Sequence, residues 1–195
     1  MPFAIVLILL TTAWRIVAAH FPVLVNFSPL MALAFCGAVY FQNKRLWLVP
    51  LAALTLSDLY LDHYYATVFN YEWSIGGAVI RGLCFVAALG LGAMVARRRS
   101  WLNLFSGALA GSIFFYLVTN TASFLGDATY AHTAAGWWQA MTVGHPEFPP
   151  TILFFRNTLV SDLAFTGLFA FAMERAAFRA GSPSLLAKSV SAQNR

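Results

Sequence analysis

Apolar positions along the chain gather into six blocks separated by short polar breaks. The blocks run from about Pro2 to Ala19, Pro29 to Phe41, Leu46 to Leu61, Ser74 to Ala96, Leu102 to Leu125 and Thr151 to Met173. A membrane span needs about 20 predominantly apolar residues, so this pattern predicts an all-α polytopic membrane protein: a six-transmembrane-helix bundle in one domain, 1–180, with a tail, 181–195. The second block is the weakest, with 13 residues between Pro29 and Phe41. It reaches spanning length only by recruiting Val23 to Ser28 or by packing inside the bundle, away from lipid. The first block ends in small residues, Ala18 and Ala19, as a signal peptide does. It lacks a basic leader, and Trp14 and Arg15 interrupt it, so a retained helix is expected.

Charge adds a direction. Nine of the twelve Lys and Arg residues follow the second, fourth and sixth blocks: Lys44 and Arg45, then Arg97 to Arg99, then Arg175, Arg179, Lys188 and Arg195. The loops at the other end hold none, although they carry Asp62, Glu72, Asp127 and Glu147. The positive-inside rule then places both termini in the cytoplasm of a bacterial inner-membrane protein. The cytoplasmic connections are short, Gln42 to Arg45 and Arg97 to Trp101. The outward ones are longer: His20 to Ser28, Asp62 to Trp73 and Gly126 to Pro150. Long loops tend to carry function, so a ligand-facing surface is expected there. For any single Trp or Tyr, an interfacial belt is the plainer reading.

Composition agrees: 60% of residues are hydrophobic and only 10% charged, against about a quarter charged in soluble domains. The net charge of +5 sits in clusters beside spans, which argues for a lipid bilayer as partner and against nucleic acid. Cys36 and Cys84, in apolar surroundings, form no disulfide framework. No phosphate-binding glycine loop, no HExxH and no paired intramembrane histidines occur, which sets aside an ATPase, an intramembrane zinc protease and a haem bundle.

Some polar residues sit where a membrane makes them costly. Arg15, Asp58, Arg81, Asn120, Arg156 and Asp162 fall within or at the ends of apolar blocks, where a central charge costs at least ~2.5–3.5 kcal/mol. They are either staples that pair inside the bundle or walls of a cavity. Arg156 with Asp162 is one candidate pair, though a spacing of six shares no helix face; pairing of either acid with an arginine from another helix is the alternative. Small residues recur at packing spacing, as in Gly107 and Gly111, and predict a compact bundle. Cys84 follows Arg81 by three residues, so both project to roughly one face. A nearby guanidinium favours the thiolate, whereas apolar burial opposes it and would make Cys84 an ordinary core residue.

Five stretches carry a family resemblance: NFSPLMALAFCGAVYF (Asn26 to Phe41), VPLAALTLSDLYL (Val49 to Leu61), LVTNTASFL (Leu117 to Leu125), YAHTAAGWWQA (Tyr130 to Ala140) and FFRNTLVSDLAFTGLF (Phe154 to Phe169). Across most of residues 14 to 170 the chain resembles the BtuM-like family of solitary substrate-binding (S) components, of the energy-coupling-factor (ECF) vitamin transporter type and specific for cobalamin. The resemblance implies a six-helix ECF S-component fold with a vitamin pocket on the outward side. It implies cobalamin, or a related corrinoid, as the transported ligand and no prosthetic group. It also implies Cys84 as the ligand to the cobalt of cobalamin, assisting decyanation of cyanocobalamin; a thiolate is a suitable soft ligand for that metal. Candidate ligand-binding residues are His20, Asn26, Phe27, Asp58, Tyr64, Tyr65, Tyr71, Trp73, Arg81, Tyr130, His132, Trp137, Trp138, Arg156 and Asn157. One departure matters. S components that share the ECF ATPase module carry an Ala-xxx-Ala docking motif in the first helix, and AIVLILLTTAWRIVAA (Ala4 to Ala19) has no clean example, which fits a solitary protein. Two alternatives stay open: an S component for another vitamin or small molecule, with Cys84 as packing, or a membrane enzyme or assembly factor built on Asp127 with His132.

Overall fold

A computed structural model describes residues 2–24, 26–41, 43–69, 74–146, 148–184 and 186. The described residues form seven α-helices and no strand: α1 Pro2–Ala19, α2 Leu30–Tyr40, α3 Leu48–Phe69, α4 Ile75–Val95, α5 Trp101–Gly126, α6 Ala134–Met141 and α7 Thr151–Arg179. Three of them, α4, α5 and α7, are long and apolar enough to cross a membrane. The outer surface agrees, because Leu9, Leu10, Leu56, Leu59, Leu83, Val86, Leu102, Leu168 and Phe171 are all exposed. A water-soluble bundle would turn such a belt inward.

Local sequence explains where helices begin. Ser74 and Ser100 have extended backbones and accept from Gly77 N–H and Asn103 N–H, capping α4 and α5. Thr133 does the same for α6 through Gly136 N–H. Two expected loops are corrected. The segment from Asp62 was expected to be loop, but α3 continues to Phe69 and carries Asp62, Tyr64 and Tyr65 on a rigid element. The Gly126 to Pro150 loop contains α6.

The core is built around α2. Its sequence, LMALAFCGAVY, is apolar on every face, and residues 31–41 are buried. A helix of that kind belongs inside. It packs against α4, α7, α3 and α5. Close approach depends on small residues: a Cβ on Gly92 would lie 2.3 Å from the Phe35 carbonyl oxygen, and one on Gly107 would lie 2.8 Å from the Phe35 ring. At 11 residues, α2 is ~16 Å long, about half the thickness of a bilayer core. Packing within the bundle, not length, is how the short second block is accommodated. Between α1 and α2, Pro22–Leu24 forms one 3-10 turn. Because α3 makes its broad contacts with α1 and α2, it meets α4 chiefly through side chains.

Candidate functional site

The bundle has a basic end, with Lys44, Arg45 and Arg97 to Arg99, and a loop end, where residues 20–29 and α6 lie. At the loop end the chain between α1 and α2 is irregular, and irregular backbone leaves carbonyls that need donors. One face of α7 supplies them. Asn157 Nδ2 donates to Val23 O (2.9 Å), Thr158 Oγ1 to Asn26 O (3.4 Å) and Ser161 Oγ to Ser28 O (3.0 Å). Asn26 itself has φ 62°, a left-handed conformation that Asn tolerates better than most residues. Phe27 anchors the segment between Trp14 (6.4 Å) and Phe165 (6.0 Å).

The same strip caps α2. Pro29, its N-cap, provides no side-chain bond, and the first N–H groups of a helix need acceptors. Asp162 Oδ1 accepts from Ala32 N–H at 3.2 Å, and Asp162 Oδ2 accepts from Ser112 Oγ at 2.7 Å. Asp162 is 1% exposed. The candidate pair of Arg156 with Asp162 is therefore not formed: Arg156 is exposed and bonds the Asn157 side chain at 3.2 Å.

A charged cluster stands beside this strip. Arg15 of α1 donates to Asp58 of α3 at 2.5 Å and to Ser57 Oγ at 2.5 Å. Arg81 of α4 reaches Asp58 at 3.3 Å and Asp62 at 3.3 Å. Two arginines thus balance two aspartates, and the four side chains keep between 13% and 25% exposure. This is the inter-helix pairing expected for Asp58. His20 stacks on Tyr64 at 4.4 Å and lies 6.4 Å from Tyr60, while Tyr64 lies 5.6 Å from Tyr65, walling the cluster with rings.

The predicted site residues therefore fall into groups. His20, Asp58, Tyr64, Tyr65 and Arg81 come together across α1, α3 and α4, and Asn26, Phe27 and Asn157 form the irregular segment and its anchor. A third group lies around α6. Tyr130 and His132 pack on Phe124, Trp137 donates to Thr121 Oγ1 at 3.1 Å, and Tyr116 donates to Met141 O. Trp138 is 64% exposed and turns away from these contacts. Tyr71 and Trp73 lie outside the described residues. Asp127 bonds Thr129 N–H at 2.8 Å and lies 4.0 Å from His145, so it meets His145 and not His132.

Cys84 lies one turn further along α4 than Arg81. It is 2% exposed and packs with Met31, Ala34, Leu54, Phe85 and Ala88. The Arg81 guanidinium is turned to Asp58 and Asp62, so its charge is neutralised away from the thiol. Cys84 sits beneath the first turn of α2, under the floor of the loop-end site. A crevice of about 10 Å³ between α2, α4, α5 and α7, lined by Met31, Phe35, Ala88, Gly107, Gly111 and Asp162 among others, has room for about one water. Among the described residues no group of three or more His, Cys, Asp or Glu is placed to hold a metal ion.

Sequence reading overlooked Ser57, Asp62, Ser112, Thr158 and Ser161 as site-building residues. The signal was present on α7, where Thr158, Ser161, Asp162 and Thr166 recur at intervals of three and four and so share one face of an otherwise apolar helix.

A family model described as a family of unknown function (DUF6580) matches residues 1–185, so the chain belongs to that family. No curated protein and no solved structure matches it.

Proposed function

We propose that this family member is a solitary uptake protein of the S-component type that binds a corrinoid at the loop end of its bundle and carries it inward. The bundle would span the inner membrane six times, with the half-length α2 and residues 20–29 together completing the second span. Both termini would be cytoplasmic, as the one-sided distribution of lysine and arginine requires. The observation that carries the reading is the irregular segment 20–29, set into the bundle and held by Asn157, Thr158 and Ser161. Non-helical backbone at membrane depth is tolerated where protein buries it or where it lines a cavity, and transporters put substrate sites at such breaks.

The chemistry of the surroundings suits a corrinoid. Tyr60, Tyr64 and His20 offer ring faces to an apolar macrocycle edge, and the partly buried Arg15, Asp58, Arg81 and Asp62 offer donors and acceptors to its amide side chains. Cys84, uncovered when Met31 and the first turn of α2 shift, would enter the cobalt coordination sphere as thiolate. With cyanocobalamin this is a ligand exchange: the S–Co bond forms, the Co–CN bond breaks, and cyanide leaves with its electron pair. No electron is transferred, and the thiol proton passes to solvent or to cyanide.

The test is to purify the full chain from cells grown with cobalamin and record its visible spectrum. A bound corrinoid whose cobalt-sensitive bands change in Cys84→Ala is the expected result. A colourless protein that takes up no added corrinoid overturns the reading. The burial of Cys84 among apolar side chains favours one second reading, an S component for another small molecule in which Cys84 only packs. Mass spectrometry of the co-purified ligand separates the two.

A further inference from the structure

Asp162 differs from every other described acid in the bundle. It lies about three turns into α7, midway along the helix and away from both ends. It is 1% exposed, and no cation reaches it among the described residues: Arg15 and Arg81 are held by Asp58 and Asp62, and Arg156 bonds Asn157. Its partners are one backbone N–H, from Ala32, and one hydroxyl, from Ser112. An ionised carboxylate buried with only neutral donors is costly, and the positive end of the short α2 offsets only part of that cost.

The hydroxyl partner lets the site hold either form. Ser112 Oγ lies 2.7 Å from Asp162 Oδ2 and 3.1 Å from Ala108 O, and it has one proton for two acceptors. When Asp162 is ionised, Ser112 donates to Oδ2. When Asp162 is neutral, its own O–H donates to Ser112 Oγ, and Ser112 turns its proton to Ala108 O. Both states are fully bonded, and no heavy atom has to move between them. Oδ1 meanwhile keeps Ala32 N–H, through a charge-assisted bond in the ionised state and a neutral one, roughly half as strong, in the other.

We propose that Asp162 is an intramembrane proton-binding site, and that its proton sets how firmly α7 holds the first turn of α2 and the 20–29 segment. The neutral acid loosens the hold; the carboxylate tightens it. Other groups facing this position do not replace it. From α2 the Cys36 thiol, fully buried, comes near enough to Asp162 to feel its charge and carries no ion pair of its own. From α5 the nearest titratable group is Tyr116, a turn away and bonded to Met141 O. From α4, Cys84 packs among apolar side chains. The function this suggests is proton-linked opening of the loop end, a source of driving force for a transporter without an ATPase. That last step rests on the uptake reading; proton binding itself does not.

The experiment uses the full chain in lipid nanodiscs without any added ligand, so failure of corrinoid binding and failure of this proposal are read separately. Infrared difference spectra between mildly acid and mildly alkaline pH should show a protonated-carboxyl C=O stretch that is lost in Asp162→Asn. Amide exchange across residues 24–33 should be equal in wild type and Asp162→Asn at acid pH. Relative to Asp162→Asn, it should become several-fold slower in wild type as pH rises. A carboxyl band that survives Asp162→Asn, or an exchange ratio that stays constant with pH, overturns the proposal. If Asp162→Asn fails to fold, Ser112→Ala serves instead: a shifted carboxyl frequency supports the assignment, and an unchanged one overturns it.

Discussion

The bundle embeds acids in two ways, side by side. On α3, Asp58 and Asp62 face Arg15 and Arg81 in a partly buried cluster where every charge has an opposite. On α7, Asp162 is buried among neutral donors with no opposite charge. The first arrangement ties α4 to α3 where their backbones are not closely packed, and reinforces the packing of α3 on α1. The second ties an irregular segment and a half-length helix into the core. Charge pairing therefore serves as a strut across a gap, and neutral hydrogen bonding serves as a clasp on a buried chain end. Only the clasp can change its protonation without leaving a partner stranded.

Neutralising one acid at a time separates the two regions most sharply. Asp58→Asn should cost about 2–4 kcal/mol, because it leaves Arg15 and Arg81 half-buried with one acid between them; the residual exposure keeps the loss below that of a fully buried pair. Asp162→Asn should cost less than about 1 kcal/mol at acid pH, since Asn presents an acceptor to Ala32 N–H and a donor to Ser112 Oγ. Detergent-solubilised thermal unfolding of both variants makes the comparison, and equal losses would erase the distinction between strut and clasp.

Smaller changes probe how α2 and the segment before it are held. Gly92→Ala should destabilise by about 1–3 kcal/mol, since its Cβ meets backbone, the Phe35 carbonyl, at 2.3 Å and no side chain can swing aside. Asn26→Val should cost about 1–2 kcal/mol for forcing a β-branched residue to φ 62°, whereas Asn26→Gly should fold normally; proteolysis within residues 20–29 reads both. The weakest effect lies far from either acid pair. Thr129, through its N–H first and then its hydroxyl, holds the Asp127 pKa below its ordinary 3.8, helped by His145. A lowered pKa means the folded state binds its proton less readily than the unfolded chain. The stabilisation is thus complete above the ordinary carboxylate value and is lost as pH falls below it. The Thr129 amide shift, read by NMR, should change in that acid window in wild type and not in Asp127→Asn.

Much of the frame was legible in the chain. The six apolar blocks correspond to α1 to α5 and α7. Pairing of Asp58 with arginines from other helices was legible too, because a charge at that position needs a partner wherever one is found. The end of α3 was not: Asp62, His63, Tyr64 and Tyr65 look like loop by polarity, yet the helix continues because the Asp62 carboxylate is matched by Arg81 of α4, a contact between distant residues. The destination of Asp162 was hidden for a similar reason. Its partner is a backbone N–H on α2, which leaves no mark in the side-chain pattern. The tilt of Arg81 toward α3, away from Cys84, also depends on tertiary placement that a spacing of three does not contain.

A ligand that enters at the loop end would meet the segment between α1 and α2 first. Amide exchange of the full chain in nanodiscs, with and without added cyanocobalamin, tests it most directly. Ligand-dependent protection is expected in residues 20–33 and in the facing ends of α3 and α4, with the basic end unchanged. Protection confined to the basic end, or no protection at corrinoid concentrations that saturate the visible spectrum, would contradict it.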